Sequence, residues 1–112
     1  MNFYKMTTQA VAPKKATAGS ACYDLYSCVG PDGLTINPGQ RMAIPTGIVL
    51  EIPEQHVVKV FARSGLSYKI EHGERIAQML LEKVLNYELL EIDSRPAILD
   101  TRDGGMGSTG KK

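Results

Sequence analysis

From Tyr23 to Ala62, short apolar runs alternate with turn signals: Gly30-Pro31-Asp32-Gly33, Asn37-Pro38-Gly39, Pro45 and Pro53. The runs between them, Tyr23 to Val29, Leu34 to Ile36, Met42 to Ile52 and Val57 to Phe61, read as strands. The last is dense in β-branched side chains, which suit a half-buried pleated surface. Many short strands with regularly spaced turns point to an all-β sandwich or barrel.

Glu74 to Ile92 reads differently. Its Ala, Gln, Met, Leu, Glu and Lys content and the Ile76, Leu80, Val84 spacing fit an amphipathic helix on local propensity. Beyond Ile98 the apolar pattern stops and a glycine-rich stretch follows, which can add little to a core. The expected organisation is therefore one β domain over 1–99 and a flexible C-terminal arm over 100–112.

A chain of 112 residues, 43% hydrophobic and 22% charged, matches a single small globular domain. Its core is expected to be modest and mainly aliphatic, since there is no Trp and there are two Phe. The formal charge is +1, and the basic residues are scattered apart from Lys14-Lys15 and Lys111-Lys112, so no stripe suggests nucleic-acid binding. The start, MNFYKMTTQA, has no apolar leader region, and Met79-Leu80-Leu81 is far too short to cross a bilayer. Cys22 and Cys28 match neither a CxxC pair nor a zinc site and read as buried free thiols. The expectation is a cytoplasmic protein with no membrane and no nucleic-acid partner.

Two segments carry candidate phosphate chemistry. Gly105-Met106-Gly107-Ser108-Thr109-Gly110-Lys111 satisfies GxxxxGK but has Lys112 where a P-loop needs Ser or Thr, and no helix follows it. What remains is a run of glycines whose N–H groups can converge on an anion, with Arg102, Ser108, Thr109 and Lys111 as further donors. Taken alone it is more often a frayed terminus than a clamp. Arg63-Ser64-Gly65 places a cation, a hydroxyl and a glycine directly after an apolar strand, a trio suited to a polyphosphate, although taken alone it is more often an ordinary polar strand end.

In order along the chain, Ala21-Cys22-Tyr23-Asp24-Leu25, Ala62-Arg63-Ser64-Gly65-Leu66, Gly73-Glu74-Arg75-Ile76-Ala77-Gln78 and Gly104 to Gly110 resemble the first, second, fourth and fifth conserved motifs of the trimeric dUTPase family. Pro38-Gly39, Pro45-Thr46-Gly47 and Glu51-Ile52-Pro53 resemble its connecting strands. The resemblance implies a jelly-roll-like (β-clip) fold, a homotrimer with shared active sites, and Mg²⁺-dependent hydrolysis of dUTP to dUMP and pyrophosphate. It implies that Asp24 holds Mg²⁺ through water. Arg63, Ser64, Gly65 and Gln78 would line the phosphates, and Arg102, Gly105, Met106, Gly107, Ser108 and Thr109 would close over a neighbour's nucleotide. It also favours two strands rather than a helix over Glu74 to Ile92.

The sequence departs from that family between Leu66 and Gly73, where six residues, Ser67 to His72, replace a much longer segment. The missing part is the third motif, a β-hairpin that in the family reads uracil and carries the Asp that activates water. The expected fold is thus a compact version lacking one hairpin, with its catalytic base unassigned. Glu71, His72 and Glu74 lie in the short connection as stand-ins, against the commoner reading of surface charges on a tight loop. Met106 stands where the family has a stacking Phe, and Arg102 one place nearer the glycines than the family's Arg.

Overall fold

The computed structural model describes residues 1–62 and 69–97. Its regular elements are strands: β1 (Asn2–Lys5), β2 (Tyr23–Tyr26), β3 (Leu34–Thr35), β4 (Ile48–Glu51), β5 (His56–Ala62), β6 (Lys69–Ile70) and β7 (Arg75–Lys83). They form three antiparallel sheets, ordered β1-β4, β2-β7-β5 and β3-β6. The all-β class read from the turn signals is what the chain adopts.

The strand bounds are tighter than the sequence suggests. Met42 to Ile52 yields only Ile48–Glu51, because Pro45 and the left-handed Gly47 keep the preceding stretch out of the ladder. β1 has no counterpart among the sequence expectations; Asn2–Lys5 pairs in full register with Glu51–Ile48. Both cysteines are free, as expected, but each is half-buried rather than buried.

Over Glu74 to Ile92 the structure corrects both readings. Arg75–Lys83 is a single nine-residue strand, and the stretch from 84 to 97 is not in any strand or helix. β7 is the centre of its sheet, with β2 on one side and β5 on the other. Backbone bonding along both edges overrides the helix preference of its side chains. No described strand lies beyond Lys83 to pair with the continuation, so the second expected strand does not form in this chain.

The core sits where the β3-β6 pair meets the β2-β7 pair. Ile70, Ile76 and Ala77 are buried and contact the half-buried Leu25, Leu34, Ile36 and Ile44. This aliphatic cluster is as small as the composition implies. The β3-β6 pair is held close by Gly33, at φ +74°, where a Cβ would lie 2.8 Å from the Ile70 carbonyl oxygen. Any side chain there would push the pair apart.

Candidate functional site

The central feature is a row of residues across the sheet. Asp24 on β2 pairs with Gln78 on β7, which pairs with Phe61 on β5. Directly opposed residues in antiparallel strands share a face, so the three side chains project to one side. Asp24 sends both its N–H (2.6 Å) and its carbonyl (3.3 Å) to the backbone of Lys14 on its outer side. Its pairing with Gln78 is therefore the narrow, non-hydrogen-bonded kind, in which side chains approach most closely. Asp24 is buried and Gln78 exposed, giving a covered carboxylate beside an accessible amide.

A register shift adds a cation to this face. Leu25 opposes Ala77, but Tyr26 opposes Arg75, leaving Ile76 as the extra residue in β7. A one-residue slip turns every later side chain to the other face. Arg75 would otherwise share the face of Ala77 and Met79; the bulge brings it to the Asp24 side. Its Nη1 lies 3.6 Å from the Asp24 carboxylate, on a guanidinium that is 44% exposed. The same bulge explains why Ile76 and Ala77, neighbours in sequence, are both buried.

The turn before β7 is pinned by a buried hydroxyl. The Ser27 hydroxyl, fully buried, donates to the Glu71 carbonyl and accepts from the Glu74 N–H at 3.1 Å. The Ser27 N–H donates to the Glu74 carbonyl at 2.9 Å, and the Gly73 N–H to the Ser27 carbonyl at 3.0 Å. Glu74 N–H bonds back to the Glu71 carbonyl, and Gly73, at φ +79°, supplies the left-handed third position that a type II turn demands. Glu74 Oε1 accepts from the Glu71 N–H at 3.0 Å, and His72 Nδ1 from the Val29 N–H at 3.2 Å. The Glu74 and His72 side chains are thus committed to holding the turn, which favours a structural role for both.

Of the residues selected from sequence, Asp24 and Gln78 are brought together directly. Arg63, Ser64 and Gly65, and Arg102, Gly105, Met106, Gly107, Ser108 and Thr109, lie outside the described residues, as does the 100–112 arm. Sequence reasoning missed Ser27 and the alignment of Arg75 with Asp24. Arg75 stood inside a quoted motif, but only the bulge shows which face it takes. Among the described residues no three His, Cys, Asp or Glu side chains gather as a metal cage.

Comparison with known proteins adds an independent line. A model of the dUTPase family matches residues 8–70, more than half of the chain, and ends inside the short connection. The chain is 33% identical to the deoxyuridine 5'-triphosphate nucleotidohydrolase of Hydrogenobaculum sp. (strain Y04AAS1), with 96% of each chain covered. It is 31% identical to the enzyme of the same name from Monkeypox virus, covering 98% of this chain and 90% of that one. The first alignment runs over 141 positions, more than the 112 residues here, so that relative has residues with no counterpart in this chain. Among solved structures, the Staphylococcus bacteriophage 80alpha dUTPase with dUPNHPP superposes with a TM-score of 0.69 at 18% identity, covering 90% of this chain and 92% of that one. The dUTPase of phage phi11 of S. aureus, which coordinates a structural Mg(II) ion, gives 0.69 at 16% identity, covering 86% and 98%. At these identities the superpositions show a shared fold.

Proposed function

Since the chain belongs to the dUTPase family, we propose that it hydrolyses dUTP to dUMP and pyrophosphate with Mg²⁺, as a homotrimer with shared sites. The observation that carries this reading is the side-by-side placement of Asp24 and Gln78, the first-motif and fourth-motif residues, with Arg75 turned onto the same face. A single carboxylate suits Mg²⁺ that keeps its water shell and takes its other oxygens from the substrate's phosphates. Mg²⁺ supplies charge neutralisation on those phosphates.

In this reading Asp24 would hold Mg²⁺ through its water shell, and Arg75, 3.6 Å away, orients the carboxylate. Gln78 donates its amide to a phosphate oxygen. Arg63, Ser64 and Gly65 follow the last residue of β5, two places beyond the Phe61 that flanks Gln78, and offer a guanidinium fork, a hydroxyl and an open backbone to the same anion. The arm, with Arg102, Gly105, Met106, Gly107, Ser108 and Thr109, closes over the nucleotide of a neighbouring subunit and excludes water. The site faces the cytoplasm of the cell or of a viral host.

A second reading is favoured by the short connection. Relatives carry residues that this chain lacks, and the Glu74 and His72 side chains bind backbone rather than stand ready as bases. Loss of a general base costs roughly 10²–10⁴-fold in rate. The alternative is therefore a catalytically impaired trimer that binds nucleotide polyphosphate or a protein partner. Pyrophosphate release from dUTP with Mg²⁺, against dCTP, dTTP and UTP, decides: selective turnover supports the enzyme, and none above background leaves the binding role.

A further inference from the structure

Lys14 and Lys15 are adjacent, exposed and chemically identical, yet the sheet sends them to opposite faces. Lys14 bridges Asp24 through two backbone hydrogen bonds and so extends the row Asp24, Gln78, Phe61 by one position at the outer edge of β2. Its Nζ lies 5.8 Å from the centre of the Tyr26 ring, and Tyr26 opposes Arg75. The Lys15 Nζ instead lies 5.4 Å from the ring of Tyr23, which opposes Met79 on the other face.

The Asp24 face thus has a carboxylate flanked by two cations, Arg75 on β7 and Lys14 on the opposite side. Asp24 pairs with Arg75 and forms no ion pair with Lys14. Farther along the same face Lys59 and Glu82 pair at 2.8 Å and cancel. Lys14 forms no ion pair with a described carboxylate; its ammonium lies over the π-face of Tyr26, which attracts a cation without neutralising it. A tyrosine platform restricts a flexible ammonium to the site side and lowers the entropy lost when an anion takes it up.

Resting on the reading of this face as the nucleotide site, we propose that Lys14 is a further phosphate-binding residue, its ammonium contacting the polyphosphate from the outer edge of β2. Lys15, on the far face, makes no such contact. The pair provides its own control, because Lys14→Met and Lys15→Met remove the same charge from adjacent positions.

The test is calorimetric titration of the full chain with dUpNHpp and with dUMP, at low and high salt. Lys14→Met weakens dUpNHpp binding about tenfold and flattens its salt dependence, as loss of one charge-assisted hydrogen bond requires. Lys15→Met stays within about twofold, dUMP affinity changes less than dUpNHpp affinity, and Lys14→Arg restores binding. Equal effects of the two Met variants, or wild-type affinity in a Lys14→Met protein with unchanged circular dichroism, overturns the assignment and leaves the nucleotide site standing. No binding of dUpNHpp to the unmodified protein removes both.

Discussion

β7 and the stretch that continues it are written in one vocabulary, RIAQMLLEK followed by VLNYELLEI, and meet different fates. In β7, Ile76, Ala77 and Met79 are at most 8% exposed. In the continuation, Leu85, Tyr87, Leu89, Leu90 and Ile92 are 62–90% exposed. Neither composition nor period separates the two; neighbours do. β7 has a strand on each side and the small core beneath it, whereas no described strand pairs with residues 84–92. A fully buried Leu or Ile is worth about 1.5–3 kcal/mol, so so many in water constitute a strong drive toward a covering surface.

The largest expected effect tests whether the proposed trimer provides that cover. Replacing Leu89 and Leu90 together by Asp removes two large apolar contacts, on the order of 3–6 kcal/mol, raising the dissociation constant of the assembly by roughly 10²–10⁴-fold. Sedimentation over a dilution series shows the variant falling to monomers where the wild type does not. A wild type that is monomeric at every concentration removes the interface reading of 84–92.

The same comparison predicts a different signature for β7. Ile76→Ala lowers the unfolding free energy by about 2–5 kcal/mol, because it opens a cavity against Ala77 and Ile70. Its cost is intramolecular, so in urea titrations the loss from Ile76→Ala should persist at every protein concentration, whereas that from the Leu89/Leu90 pair should vanish on dilution. Concentration-dependence of the Ile76→Ala loss would mean that the core, too, is completed by a second copy.

Much of this was legible in the sequence because it was local. The turn residues between Tyr23 and Ala62 announced an all-β chain, and Asp24 and Gln78 were identifiable within motifs that the sheet then set side by side. What escaped was set by pairing. β1 became a strand through Glu51–Ile48, partners more than forty residues away, and the extra residue at Ile76 that turns Arg75 toward Asp24 exists only as a mismatch between two strands. Ser27 is a common polar residue in sequence; its role comes from Glu71 and Glu74, again more than forty residues distant. The second strand expected over Glu74 to Ile92 failed for the converse reason, since no partner for it exists within the described chain.

Ser27 also offers the smallest and most local way to make the start of β7 behave like its continuation. The hydroxyl is fully buried, and Ser27→Ala leaves the Glu71 carbonyl and Glu74 N–H without that partner while the backbone bonds from Ser27 to Gly73 and Glu74 persist. The loss is about 0.5–1.5 kcal/mol, the net worth of a hydrogen bond, because the Glu74 N–H and the Glu71 carbonyl still bond each other. Because the turn feeds straight into Arg75, the loosening should spread into the bulge that aims Arg75 at Asp24, while the β1-β4 pair, built from other contacts, should not feel it. Hydrogen exchange resolves the two regions: amides from 74 to 78 should exchange about two- to tenfold faster in Ser27→Ala, with those of β1 and β4 unchanged. Uniform acceleration would show that the turn supports the whole fold. No acceleration at 74–78 would show that pairing with β2 and β5 alone fixes β7, and that the Ser27 clamp does not set the register that builds the Asp24 face.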